Sequence, residues 1–241
     1  MKRISVAVLL LAFAEGALAF SFHLNQMEFN SWPEYCKAKY VVTNVGSATP
    51  YVSQVSDETI AKWGQRLGRT WPNIHHGCAS MIWIVRSEQL AGKDQQQYAF
   101  ALKQAAGESQ YSIQRTNPED PIYTKLVTVH ARVEYALGKR DQAIRTLQSA
   151  IRNAPEVADG YAVLATLLYK QGKYAEAREI LQSGVRKAKP PTAEMYYFLG
   201  LVLVKENNYA EAAKYAKQAY ALGYPLPGLK NKLRASGHWG Q

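Results

Sequence analysis

Two cysteines and an adjacent pair of histidines are the residues best suited to chemistry in this 241-residue chain. Cys36 and Cys78 are its only cysteines, and His75-His76-Gly77-Cys78 sets two imidazoles just ahead of the second thiol. Imidazole and thiolate are good ligands for zinc or copper, so this run suggests a metal-binding module built on His75, His76 and Cys78. Neighbouring residues on a helix point about 100° apart, so one ion would need further ligands, such as His23 or Cys36. The competing chemistry is a disulfide between Cys36 and Cys78. Two lone cysteines in an oxidising compartment usually pair, and closing a loop of 43 residues stabilises by up to about 4 kcal/mol.

The compartment is readable at the start of the chain. Lys2 and Arg3 precede the apolar run Val6–Ala14, and Ala17-Leu18-Ala19 supplies a small-x-small cleavage site. That is the layout of a secretory signal peptide over residues 1–19; its apolar run is about half the ~20 residues needed to cross a bilayer. The expectation is an exported, periplasmic protein with no transmembrane span in the mature chain. Losing Lys2, Arg3 and Glu15 lowers the formal charge from +10 to +9. A basic surface suits acidic proteins, anionic headgroups or nucleic acid, and export disfavours nucleic acid.

Catalytic signatures are missing from the sequence. It has no Gly-x-Ser-x-Gly, phosphate loop, His-Glu-x-x-His or dinucleotide fingerprint. Glu119-Asp120 lies between Pro118 and Pro121 in a linker, where it is expected to lack support for acid–base work. His130 falls where a packing residue is expected, and His238 lies in the tail. Trp32, Trp63, Trp71 and Trp83 crowd the N-terminal half and read as packing residues. No enzyme activity and no cofactor are expected.

The elements that must position these residues show a 34-residue rhythm. Thr124–Val157, Ala158–Pro191 and Ala193–Leu226 align by their turns. Small residues recur where paired helices must touch (Ala131, Ala143, Ala165, Ala177, Gly200, Ala212), and Gly138, Gly172 or Asn207 stands at each reversal. Each unit predicts two helices: Thr124–Leu137 with Asp141–Asn153, Ala158–Gln171 with Ala175–Ala188, and Ala193–Lys205 with Tyr209–Leu222. Pro155 and Pro190-Pro191 end helices because proline lacks the amide hydrogen of the next turn.

Upstream, Trp71–Leu90 and Asp94–Arg115 carry helical spacing and predict a degenerate fourth pair over residues 71–121. Residues 20–70 form an irregular segment in which Tyr40–Thr43 suits a short strand or a wrapped loop, and Asp57–Leu67 a short helix. Gly228–Ala235 predicts an amphipathic helix that covers the last apolar surface, as a stacked array requires. The division is thus 1–19, 20–70, 71–121 and 122–241.

This pattern resembles the tetratricopeptide repeat, in which helical hairpins stack into a solenoid. The resemblance implies an all-α fold and a non-catalytic scaffold that binds a protein or peptide on its concave face. Carried over by position, that face holds Lys125, Thr128, Arg132 and Tyr135 from the first repeat. The second gives Asp159, Ala162, Thr166, Tyr169 and Lys170, and the third Glu194, Tyr197, Leu201 and Lys205. Relatives that clamp a peptide's terminal carboxylate use fixed Lys and Asn positions, which here are Thr128 and Arg132. Trp32-Pro33-Glu34-Tyr35-Cys36, His75-His76-Gly77-Cys78 and Gly223–Leu229 also resemble a group of exported bacterial repeat proteins, in which an aromatic residue usually stands where this chain has Gly77. That likeness implies an envelope scaffold or assembly factor with an envelope protein as partner.

Overall fold

The structure is a computed structural model and describes residues 22–239. Among the described residues it is helical, without strands. Three short helices come first: α1 (Gln26–Ser31), α2 (Glu34–Tyr40) and α3 (Asp57–Leu67). Four antiparallel hairpins follow: α4 (Ile74–Leu90) with α5 (Gln95–Gln114), α6 (Tyr123–Ala136) with α7 (Arg140–Asn153), α8 (Ala158–Lys170) with α9 (Tyr174–Lys187), and α10 (Ala193–Lys205) with α11 (Tyr209–Ala221). A final helix, α12 (Gly228–Ala235), packs on α10 and α11. No helix among the described residues is long and apolar enough to cross a membrane. The expected signal peptide, residues 1–19, lies outside the described residues.

The hairpins form because sequence fixes both turn and seam. Gly172 at φ 76° and Asn207 at φ 61° adopt the left-handed conformation that reverses the chain, which glycine reaches without a Cβ clash and asparagine tolerates best among the rest. The helices then meet at Ala143, Ala177, Leu181 and Ala212, each fully buried. Gly184 is tighter still, since a Cβ there would lie 2.7 Å from Cγ of Tyr161. The cap behaves likewise: Leu229 and Leu233 are fully buried, and a Cβ on Gly200 would lie 2.5 Å from Cδ2 of Leu229. Gly77 is explained in the same way. It faces Leu126 of α6 and Ser112 of α5, and a Cβ there would lie 2.8 Å from the Ser112 hydroxyl, so an aromatic side chain has no room.

The N-terminal segment is non-repetitive but ordered, and it packs against α4. A capping box starts α1, with Asn25 Oδ1 accepting from the Glu28 amide at 2.9 Å and Glu28 Oε2 from the Asn25 amide at 3.0 Å. Arg86 of α4 grips the same carboxylate with two nitrogens, at 2.6 and 2.7 Å. Trp32 Nε1 donates to the Cys78 carbonyl at 3.1 Å. Cys36 and Cys78 are disulfide-bonded, joining α2 to α4 with Cα atoms 5.5 Å apart. Phe29 stacks on Tyr51 with centroids 4.3 Å apart, inside a core that also takes Leu126 of α6 and Ile122 just before it.

Three sequence expectations change. Tyr40–Thr43 is no strand: α2 runs to Tyr40 and a turn follows, closed by the Thr43 hydroxyl donating to the Tyr40 carbonyl at 2.6 Å. Tyr40 and Val41 are 4% exposed each, so core packing overrides the β propensity of Val41. The helix expected from Trp71 starts at Ile74, after a 3-10 turn at Gly68–Thr70. Asp120 is held after all, accepting from the Thr70 hydroxyl at 2.6 Å and the Ile122 amide at 3.0 Å; both oxygens are used to anchor the linker.

Two predictions follow from this organisation. Cys36→Ser should lower stability by about 2–4 kcal/mol and expose residues 22–70 to limited proteolysis, while fragments spanning the repeats survive, because hairpins interact chiefly with neighbours. Mass spectrometry of the digest reads this. The second concerns His75, whose pKa burial lowers to about 4, helped by the charges of His76 and Lys39. The unfolded chain takes up that proton near 6.5 and the folded chain does not, so stability should fall as pH drops from about 6.5 to 4. His75→Phe should flatten that limb in urea titrations across pH. Glu28 acts lower: burial would raise its pKa, but Arg86 and the Asn25 amide outweigh this and hold it down, so its contribution is lost only below the usual carboxylate range.

Candidate functional site

The first helices of the four hairpins, α4, α6, α8 and α10, pack side by side. Between them lies a groove of about 510 Å³. Glu88 comes from α4, Arg132, Tyr135 and Ala136 from α6, Arg140 from the start of α7, Val163, Thr166, Leu167 and Lys170 from α8, and Glu194 from α10. The sequence places Arg132, Tyr135, Thr166, Lys170 and Glu194 here through their positions in the repeat, and the structure brings these five together.

The groove carries both charges over an apolar floor. Arg132 Nη2 meets Glu88 Oε1 at 3.0 Å with side chains 36% and 47% exposed, so this ion pair contributes little to stability and is open to exchange with a partner. The Arg140 guanidinium lies 5.8 Å from the Tyr135 ring centre. The Thr166 hydroxyl donates to the Ala162 carbonyl at 2.8 Å, which leaves its oxygen to accept. Glu194 reaches water, yet protein crowds its carboxyl on the other sides. That burial raises its pKa, with Arg132 pulling down and Asp159 pushing up.

The other expected lining residues lie elsewhere. Lys125 lines a separate cleft of about 570 Å³ with Tyr35, Trp63 and Asp159, where the N-terminal segment meets the inter-repeat loops. Tyr197 is 6% exposed and stacks on Tyr224 at 4.1 Å, so it packs the C-terminal end rather than lining the groove. Tyr169 is half-buried against Tyr174, with centroids at 5.2 Å, and Leu201 packs on the repeat core. The Lys205 ammonium lies 5.9 Å from the Tyr174 ring centre. Glu88 and Arg140 were not foreseen; the degenerate first hairpin and the start of a second helix gave no repeat position by which to find them.

The metal-binding reading does not fit. The Cys78 sulfur is bonded to Cys36 and is no thiolate, and among the described residues no group of three or more His, Cys, Asp or Glu is arranged to hold an ion. His76 Nδ1 instead pairs with Glu108 Oε2 at 2.6 Å, and its ring lies 4.1 Å from that of His75 and 4.0 Å from that of Tyr111. A second polar line runs from Ser109, whose hydroxyl is 3.0 Å from His130 Nδ1, through His130 to Glu134 at 3.6 Å. Ser109 is 1% exposed, so no substrate reaches it, and the line serves to satisfy the 3%-exposed Glu134, which also accepts from Thr146 at 2.9 Å.

The tetratricopeptide repeat family model matches twice, over residues 128–190 and 163–223. Among solved structures, the chain is similar to a tetratricopeptide repeat protein from Parabacteroides merdae, at 16% identity, with 83% of this chain and 87% of that chain covered and a TM-score of 0.43. No curated protein sequence matches. The two overlapping family matches, together residues 128–223, fall on the hairpins α6–α7, α8–α9 and α10–α11, whose turns and small-residue seams are those described above.

Proposed function

We propose that this protein is a non-catalytic scaffold or assembly factor of the bacterial cell envelope, exported to the periplasm, which holds a segment of an envelope protein in the groove of its first helices. The groove itself carries the reading: four helices from separate hairpins line it with exchangeable charges around Tyr135, Val163 and Leu167. Export is supported by the leader-like pattern of residues 1–19 and by the Cys36–Cys78 bond, since disulfides persist where the surroundings are oxidising.

The lining offers Arg132, Arg140 and Lys170 against Glu88 and Glu194. A suitable segment has aliphatic or aromatic anchors with acidic residues beside them. Charges at a groove rim act mainly on association rate and salt dependence, whereas apolar contacts act on dissociation.

The partner is first captured by crosslinking in the native envelope, and its affinity is then measured. Lys170→Glu with Arg140→Glu should weaken binding by tenfold or more in low salt and flatten its salt dependence. Tyr135→Ala should weaken it by a similar factor with salt dependence kept. Wild-type affinity in both variants would move the site off this face. Intact mass of the periplasmic protein should equal residues 20–241 less two hydrogens; full-length mass from a cytoplasmic fraction would contradict export.

A further inference from the structure

The N-terminal segment and the first hairpin line another cavity, of about 440 Å³, whose lining residues fall outside the three repeats. Phe22, Trp32 and Tyr40 form its aromatic walls and His75, His76 and Glu108 its polar side. The disulfide sulfurs belong to Cys36 and Cys78, which also line it. The walls are pre-set: Phe22 stacks on Trp32 with centroids 5.9 Å apart, and Trp32 meets Tyr40 edge-on at 5.5 Å. The polar side is fixed by the His76–Glu108 contact at 2.6 Å.

Concave sites for small molecules are mostly apolar, with a few converging polar groups that fix orientation, and this cavity has that composition. Among the described residues no lysine or arginine lines it, and Glu108 is its one carboxylate. We infer that the cavity is a binding site for a small, uncharged aromatic molecule of one or two rings carrying an N–H or O–H donor, with the ring against Trp32 and Tyr40 and the donor toward Glu108 and the paired imidazoles. The carboxylate disfavours anions of the same shape. At neutral pH the half-buried His75 ring is uncharged, since its pKa is lowered to about 4, so it adds no attraction for them.

Indole, N-methylindole and indole-3-acetate serve as probes in calorimetric titrations of the intact, disulfide-bonded protein. Indole should bind saturably at one site, and N-methylindole about tenfold more weakly for want of the donor. Indole-3-acetate should bind more weakly than indole, and Glu108→Gln, which keeps shape but removes charge, should narrow that gap several-fold. Gln104→Trp, at a half-buried lining position of α5, should abolish indole binding while the melting curve stays cooperative; Ala79→Phe is the second filling variant. The groove variant Lys170→Glu should bind indole as the wild type does. Absence of saturable indole binding, indole binding unchanged in both filling variants, or an acetate gap untouched by Glu108→Gln would each overturn the assignment.

Discussion

Close approach between neighbouring helices is the constraint on which this molecule rests. Gly77, Gly184 and Gly200 each sit where an added Cβ would run into a neighbouring side chain, and Ala143, Ala177 and Ala212 are fully buried at the matching seams. Interiors are close-packed, so even one methylene is felt there. With the seams so narrow, the longer side chains are pushed to the two faces of the array, and the first helices align into one lined groove.

The groove and the N-terminal module draw on different physics. The repeats stabilise one another through nearest neighbours. The module has too little periodic apolar surface to stack and is instead tied to α4 by the Cys36–Cys78 bond, the Arg86–Glu28 fork and the Trp32–Cys78 hydrogen bond. These ties also shape the aromatic cavity, since Trp32, Cys36 and Cys78 all line it. One helix, α4, therefore serves both sites. Glu88 near its end reaches the groove, while His75, His76 and Cys78 at its start face the cavity.

What sequence could reveal follows the same division. The period located the repeat hairpins to within a residue or so, because turn and seam residues recur at fixed offsets, and Gly228–Ala235 emerged as the helix expected. The N-terminal arrangement was hidden because its contacts join residues far apart, such as Arg86 with Glu28. In the groove, Arg132, Tyr135, Thr166, Lys170 and Glu194 were legible from repeat position. Tyr197 was not, because the proline-rich turn after α11 folds Tyr224 onto it, an event outside the repeat. The metal reading failed once the thiol it needed was found in the disulfide.

Docking of a partner in the first-helix groove, as proposed, can be read directly in the cell. The most direct measurement places a photo-crosslinking amino acid at Val163, in the groove, and separately at Gln148, exposed on the second helix of the first repeat, and irradiates living cells expressing each variant. The account predicts a discrete protein adduct from position 163 and none from position 148. An adduct from 148 with none from 163 would contradict it.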